Sequence, residues 1–379
     1  MEIYVVKSGD TVNKIADDYG AAPEAVIYAN QLSAPYLLMI GQALLIPVGE
    51  ESNEQTLARV NGYAYPYISD WTLRETLPYL TELSVFSYGF TTEGQLIPPA
   101  IDDAFMIGQA YGFGALPILT LTPFGEDGKF NNYLIHSVVQ SEEASAHLTE
   151  ELVKTVRQKE YAGVDIDFEY ILAEDRDAFT AFVWRIAEAM RGIGKQTSIA
   201  LAPKQSADQK GLLYEGKDYR GLGEAVDYAL LMTYEWGYTY GPPMAVAPIF
   251  QVRKVVDYAI TEIPGEKIRL GIPNYGYDWP LPFEKGVTKA KTIGNVEAVQ
   301  IAASHGAQIF YDEKSQAPFF HYEEAGVSHE VWFEDVRSMR AKFDLIKEYG
   351  LNGAGYWQIM RFFRANWLLL DSRFEIVKR

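Results

Sequence analysis

The chain has no cysteine among its 379 residues, which excludes disulfides, thiolate metal sites and cysteine nucleophiles. Histidine is scarce as well. The five (His136, His147, His305, His321 and His329) are scattered, without the spacing of an HExxH helix or a similar ligand set, so no metal and no cofactor is expected. No apolar run approaches the roughly 18 residues of a membrane-spanning helix. The N-terminus, Met-Glu-Ile-Tyr-Val-Val-Lys-Ser-Gly, lacks a basic stretch followed by an apolar core and does not read as a signal peptide. Positive charge is in short supply too. The 33 Lys and Arg face 51 Asp and Glu, for a net charge of -18 and a pI ≈ 4.8. That balance argues against nucleic acid and anionic membrane surfaces as partners.

What the chain does have is a core and a repeating pattern. Hydrophobic residues make up 48% of it, enough for one large domain plus a small one. Apolar strands are expected at 58–65, 83–90, 116–121, 163–170, 198–202, 228–234, 268–275 and 353–358. Helical periodicity separates most of them, at 72–80, 99–111, 142–157, 176–191, 251–261 and 333–349. Strands alternating with helices imply a parallel sheet covered by helices, and eight such units suggest a (β/α)8 barrel. The stretch after strand seven is too long for one crossover. A helix near 293–304 and a hairpin turning around Gly326 mark an α+β insertion at about 280–332, flanking the cleft.

The most informative run is Gly163-Val-Asp-Ile-Asp-Phe-Glu-Tyr170. In a strand, Asp165, Asp167 and Glu169 share one face, about 6.5–7 Å apart, while Val164, Ile166 and Phe168 share the other. The bland reading is an edge strand with its acids in water. In a helix-covered parallel barrel, however, the acid face points inward, and Glu169 lies near the C-terminal mouth where catalysis occurs. Stacked, buried acids repel one another, and some of their pKa values rise, which suits a general acid that must stay protonated near neutral pH.

Residues 1–48 read as a separate module. A short strand is followed by a turn and N-cap at Ser8-Gly9-Asp10-Thr11. Val12, Ile15, Ala16 and Tyr19 then give one apolar helix face. A second helix runs near 23–30, and a closing strand lies at 43–47. The polar run around 49–56 reads as a linker, and 57–379 as the barrel.

This βααβ pattern, with Tyr4-Val-Val-Lys-Ser-Gly-Asp-Thr11 and Gly41-Gln-Ala-Leu-Leu-Ile-Pro47, resembles a LysM domain. The resemblance implies binding of N-acetylglucosamine-containing glycans by Gly9, Asp10, Thr11 and Asn30, in a groove between the loop 8–11 and the loop after Asn30. The run 163–169 resembles the signature of glycoside hydrolase family 18. Met232-Thr-Tyr-Glu235, Gly271-Ile-Pro-Asn-Tyr275 and Gly355-Tyr-Trp357 look like that family's motifs on strands six, seven and eight. With its LysM module, the chain resembles the spore cortex-lytic, YaaH/SleL-type branch. The resemblance assigns Glu169 as general acid, Asp167 as the residue orienting the substrate's acetamido N–H with support from Asp165, and Tyr234 as donor to the acetamido carbonyl. Trp357 would floor the sugar subsite. Glu235, Met232, Tyr88, Tyr275 and Trp236 are the further candidate substrate contacts, although Met232 reads more simply as core. The family is an exception to the two-carboxylate scheme, because the substrate's own acetamido oxygen is the nucleophile. Two departures stand out: Ala162 replaces an Asp of the family pattern, and Glu235 replaces another.

Three functions remain open at this point. One is a peptidoglycan β-N-acetylglucosaminidase acting as a monomer at the spore coat, cortex or cell wall. Another is a chitinase or chitooligosaccharide hydrolase. The third is an inactive glycan-binding coat protein.

Overall fold

The computed structural model describes residues 1–49, 55–125 and 127–378. The chain opens with β1 (Glu2–Val5), α1 (Val12–Tyr19), α2 (Pro23–Ala29) and β2 (Ala43–Ile46). Thr11 starts α1 by accepting the Lys14 N–H, and Gly20 ends it in left-handed backbone at φ 67°. Val12, Ile15 and Ala16 then face Val6, Val26, Leu44 and Ile46 in a small core. β1 and β2 pair antiparallel across it. This is the βααβ module read from the sequence. Most of the expected linker, residues 50–54, lies outside the described residues.

The barrel is built from β3 (Thr56–Ala64), α3 (Asp70–Thr76), β4 (Glu82–Phe90), β5 (Leu96–Ile97), α4 (Ala104–Gly112), β6 (Leu116–Leu121), α5 (Asn132–Gln140), α6 (Glu142–Lys159) and β7 (Gly163–Ile166). It continues through α7 (Arg176–Gly192), β8 (Gln196–Leu201), α8 (Tyr219–Ala225), β9 (Tyr228–Leu231), α9 (Ile249–Glu262) and β10 (Ile268–Pro273). A lobe follows: β11 (Gly276–Pro280), β12 (Lys291–Ile293), α10 (Asn295–Ser304), β13 (Phe310–Asp312), β14 (Ala317–Glu324) and β15 (Val327–Trp332). The chain ends with α11 (Val336–Glu348), β16 (Gly353–Trp357), α12 (Arg364–Arg373) and β17 (Phe374–Ile376).

Eight parallel strands close in the order β3, β4, β6, β7, β8, β9, β10, β16 and back to β3. The expected (β/α)8 barrel with an α+β insertion between strands seven and eight is therefore the fold. The lobe's sheet starts at Gly276, earlier than the sequence pattern suggested, because β11 pairs with both β12 and β15. β14 and β15 form the expected hairpin, turning at Ala325 and Gly326 with φ 52° and 81°. No described helix is long and apolar enough to cross a membrane.

The N-terminal module sits against the barrel and its lobe. The Ile309 N–H donates to the Ile40 carbonyl at 2.9 Å. Gly41 lies so close to Ile309 that a Cβ would fall 1.8 Å from its carbonyl oxygen. The Arg364 N–H donates to Gln31 Oε1 at 2.7 Å, and its guanidinium lies 4.0 Å from the Tyr28 ring centroid. Leu45 belongs to the barrel's own apolar core.

Candidate active site

β7 ends at Ile166, and the chain stays extended beyond it, carrying Asp167 and Glu169 out of the barrel mouth. Alternation sends Val164, Ile166 and Phe168 into the layer between barrel and helices. There the Phe168 ring packs with Phe90 at 5.3 Å, Phe179 at 5.8 Å and Phe182 at 5.9 Å. With that face fixed by burial, the three acids can only point inward.

Each acid has its own surroundings. Asp165 is deepest and fully buried. Ser198 Oγ donates to its Oδ1 at 2.6 Å and Tyr63 OH to its Oδ2 at 2.9 Å. Burial outweighs those two donors and pushes its carboxyl up to about 6. Below it, Glu82 and Arg269 form a buried pair at 2.5 Å that fills the barrel floor. Asp167 is buried, and its Oδ1 has no hydrogen-bond partner. Burial, then the charges of Glu169 and Asp165, hold it well above the carboxylate range. Glu169 is half-buried at the mouth. Burial raises its pKa, while the Lys217 ammonium opposes the rise. Lys217 lies in the loop between β8 and α8, completely buried, and its Nζ donates to the Phe168 carbonyl.

The acids open into a cavity of about 600 Å³, walled by Tyr65, Phe86, Phe124, Tyr214, Trp236 and Trp357 among others. That volume suits a small-molecule or sugar site. Trp357, at the end of β16, stands edge-on to Phe86, with centroids 4.9 Å apart. Asn274 steadies the chain there by accepting nothing and donating twice, to the Gln358 carbonyl at 3.1 Å and the Arg361 carbonyl at 2.7 Å. Met232 and Tyr234, just past β9, line the same cavity. β10 passes so close to the end of β9 that a Cβ at Gly271 would fall 2.1 Å from the Leu231 carbonyl oxygen and 2.9 Å from Tyr234 Cε1, which explains the glycine in that strand. Glu235 follows in left-handed backbone at φ 68°, a conformation that costs a non-glycine residue about 1–3 kcal/mol. The turn aims its carboxylate at two tyrosines. Tyr275 OH donates to Oε1, and Tyr277 OH donates to Oε1 at 2.9 Å and Oε2 at 3.1 Å. Burial raises the Glu235 pKa despite these donors. Although over a third of Glu235 faces the cleft, its carboxyl end is tucked between the rings.

The structure thus brings Asp167, Glu169, Met232, Tyr234, Glu235, Trp236 and Trp357 together at one barrel mouth, with Asp165 deeper in the barrel and Tyr275 just behind Glu235. It corrects Tyr88. The register of β4 slips between Val85 and Tyr88, which reverses the alternation. Phe86 faces the cavity, and Tyr88 turns outward with Phe90. There its hydroxyl donates to Asp103 beneath α4, and its ring meets Tyr161 at 6.1 Å. The Asn30 side-chain amide serves the fold of its own module. Its Nδ2 donates to the carbonyls of Val26 and Leu45, both at 2.8 Å, and its Oδ1 accepts the Leu45 N–H at 2.7 Å. The amide is consumed by the module's own fold. Gly9 and Thr11 stay at the surface, and Asp10 is held by Tyr4 OH at 2.7 Å and the Lys7 N–H at 2.8 Å. Sequence reasoning missed Tyr63, Ser198, Tyr277 and Lys217. The first two sit at inward positions of β3 and β8, where period-two counting could have found them. Lys217 is one lysine in an irregular loop and carries no periodic signal. Among the described residues, no group of three or more His, Asp or Glu side chains has metal-binding geometry.

Comparison with known proteins agrees with this geometry. Residues 124–361 match the model of glycosyl hydrolases family 18, and residues 4–47 match that of the LysM domain. The cortical fragment-lytic enzyme of Bacillus subtilis (strain 168) is 36% identical over 431 residues, covering 100% of this chain and 99% of that protein. The crystal structure of the Bacillus cereus spore cortex-lytic enzyme SleL superposes with a TM-score of 0.93 at 31% identity, covering 100% of this chain and 99% of that one. A chitinase from Chromobacterium violaceum superposes at 0.78 with 26% identity, over 83% of this chain and 98% of that one. The chain therefore belongs to glycosyl hydrolase family 18, with a LysM domain at its N-terminus.

Proposed function

We propose that this family 18 enzyme is a β-N-acetylglucosaminidase. It cleaves the bond after N-acetylglucosamine in peptidoglycan, as the cortex-lytic relatives' names suggest, with retention and with the substrate's acetamido oxygen as nucleophile. The observation that carries this reading is Asp167. Its side chain is buried between Asp165 and Glu169, is biased toward protonation, and has one oxygen without a partner in the cavity. Such a group is a poor nucleophile and a good partner for an acetamido N–H. Glu235 is no better placed to attack, since Tyr275 and Tyr277 hold its carboxylate.

The steps follow. Glu169 gives its proton to the glycosidic oxygen as the bond to the anomeric carbon breaks. The acetamido carbonyl oxygen, steadied by Tyr234, closes on that carbon while Asp167 holds the N–H. Water then opens the ring, with Glu169 taking its proton. The aromatic walls around Trp357 supply stacking area for sugar rings. The LysM module, with Gly9, Asp10 and Thr11 on its surface, is the second glycan contact. The reading places the enzyme at the spore cortex or cell wall.

The test uses purified cortex peptidoglycan, chitin and their de-N-acetylated forms. Mass spectrometry should find reducing-end N-acetylglucosamine, and proton NMR should find the β-anomer first. A de-N-acetylated polymer cut at an undiminished rate, or an α-anomer formed first, refutes the mechanism. Turnover of chitin far faster than cortex favours the chitinase reading, which the Chromobacterium violaceum likeness keeps in view.

A further inference from the structure

Lys217 has no part in the steps above, yet the chain goes to some trouble to place it. The loop between β8 and α8 presses directly on the segment that carries Glu169. A Cβ at Gly216 would fall 2.4 Å from the Ile171 carbonyl oxygen, so only glycine allows that approach. A second buried lysine holds the loop from below: Lys204 Nζ donates to the carbonyls of Lys217 at 3.0 Å and Ala207 at 3.2 Å. The Lys217 stem runs to an ammonium 5.3 Å from the Phe179 ring centroid. Its Nζ donates to the Phe168 carbonyl, one residue before Glu169. Among the described residues that is its one hydrogen bond, out of three N–H groups. Among the described residues no carboxylate lies within ion-pair distance of it.

A buried cation with one hydrogen bond is a poor stabiliser. Apolar replacement of buried charges is often neutral or favourable to stability. Its value must lie in the field it exerts. The charges that act on it are those of Asp167 and Glu169. The other titratable groups facing Glu169 are acidic or phenolic: Glu235 and Tyr234 beyond β9, Tyr65 beyond β3, and Tyr170 on its own segment. Lys217 is thus the single positive charge acting on the acid from any packed element described.

We propose that Lys217 is a positioning residue for Glu169: it fixes the Phe168–Glu169 backbone and, through its charge, makes the buried glutamic acid acidic enough to release its proton. The proposal rests on Glu169 being the general acid. When Glu169 protonates the leaving oxygen, a carboxylate is left in a cavity already holding acids. The adjacent ammonium stabilises that product of proton transfer and not the protonated acid. Burial lowers the Lys217 pKa to about 8, so the charge is present at neutral pH.

The test compares pH profiles of kcat/KM on a soluble N-acetylglucosamine oligomer for the full chain, Lys217→Met and Lys217→Gln. Gln keeps a donor for the Phe168 carbonyl without the charge. An opposite charge close to a buried carboxyl moves its pKa by about one unit or more. Removing it should raise the upper limb of the profile by about one unit in both variants. Rates on oligosaccharides should fall more than rates on nitrophenyl glycosides, whose leaving groups need little protonation. An unmoved upper limb, with only a uniform loss of rate, reduces Lys217 to an anchor and overturns the proposal. A second measurement needs no Lys217 variant. In folded Glu169→Gln, NMR of 13Cε-labelled lysine should show one lysine titrating about one unit lower than in the unaltered protein, since coupling is reciprocal. No shifted lysine also overturns it. If Glu169→Gln instead keeps full activity, the general-acid assignment fails by itself, whatever Lys217 does.

Discussion

Replacing Asp165 by Asn should stabilise the fold at neutral pH while damaging turnover. Asp165 is wholly buried, and its carboxyl titrates at about 6 against 3.8 in the unfolded chain. The folded state therefore binds this proton more tightly than the unfolded state. The group's favourable contribution is present in full below pH 3.8 and is lost as pH rises through 6. At 1.36 kcal/mol per unit, ionising Asp165 inside the barrel costs about 3 kcal/mol at pH 7. Asn keeps an acceptor for Ser198 Oγ and lets Tyr63 OH turn to accept its amide N–H, so little else is lost. It also removes one of the charges that raise Asp167, an effect of the same sign. Urea unfolding of both proteins from pH 4 to 7.5 reads the difference, and pairing them at each pH cancels effects that they share. The variant's advantage should grow by about 2.4 kcal/mol across the window, with most of the change between pH 4 and 6.5. A constant difference, or one that shrinks toward neutral pH, refutes the reasoning that burial controls this carboxyl. Lower kcat in a more stable protein is the expected trade where function requires a strained site.

Glu169→Gln should lower turnover by about 10²–10⁴-fold with unchanged binding of substrate oligomers by calorimetry. Activity within a few-fold of the unaltered protein would sink its assignment. Deleting residues 1–48 should weaken binding to insoluble walls and also lower the melting temperature, because Leu45 leaves the main core and Gly41 leaves its seat on Ile309. An unchanged melting temperature would show that the seam contributes nothing. Tyr277→Phe removes the donor to both Glu235 oxygens and should raise KM several-fold for short oligomers, with a smaller effect on kcat. A pure kcat effect would place Glu235 closer to the chemistry than the cavity wall.

Much of this site is legible in the sequence, for a simple reason. Period-two alternation in a helix-covered strand leaves acids at 165, 167 and 169 one place to point, and barrel strands deliver residues past their C-terminal ends to a common mouth. Trp357, Tyr234 and Glu235 meet Glu169 on that logic. Tyr88 fails on the same logic, because one irregularity after Val85 flips the strand, and nothing local in Phe86-Ser-Tyr88 marks a slip. Short helices escaped for related reasons. α8 reads Tyr-Arg-Gly-Leu-Gly-Glu-Ala, and two glycines in seven residues argue against a helix. They are there because the helix packs at close range: a Cβ at Gly223 would meet Ile263 at 2.6 Å. Tertiary contact overrode propensity. Asn30 carries a structural duty that its sequence context did not signal, since its amide makes three hydrogen bonds within its own module.

The placement of charge explains why a chain this acidic can hold four more carboxyl groups in one cleft. Each is managed by a different device. Two hydroxyls, from Ser198 and Tyr63, serve Asp165 at the floor. Two phenols serve Glu235 on the wall. Asp167 receives nothing on Oδ1 and feels the charges of Glu169 and Asp165 as well as that of Lys217, whereas at Glu169 the Lys217 charge is what opposes burial. Hydroxyl donors favour the ionised form modestly, an unserved buried oxygen favours the protonated form strongly, and a cation favours release. Distinct pKa values in neighbouring acids mark distinct roles. On this ordering Asp167 keeps its proton while Glu169 gives its own away, although same-face spacing alone would make the two equivalent. A double variant, Asp167→Asn with Lys217→Met, separates the two controls. With Asp167 already protonated, Asn at this position removes no charge facing Glu169, whereas Met at 217 withdraws the cation. The upper limb of the pH profile should therefore stay as raised in the double variant as in Lys217→Met. If it returns toward that of the unaltered protein, Asp167 is charged in that pH range and the ordering fails.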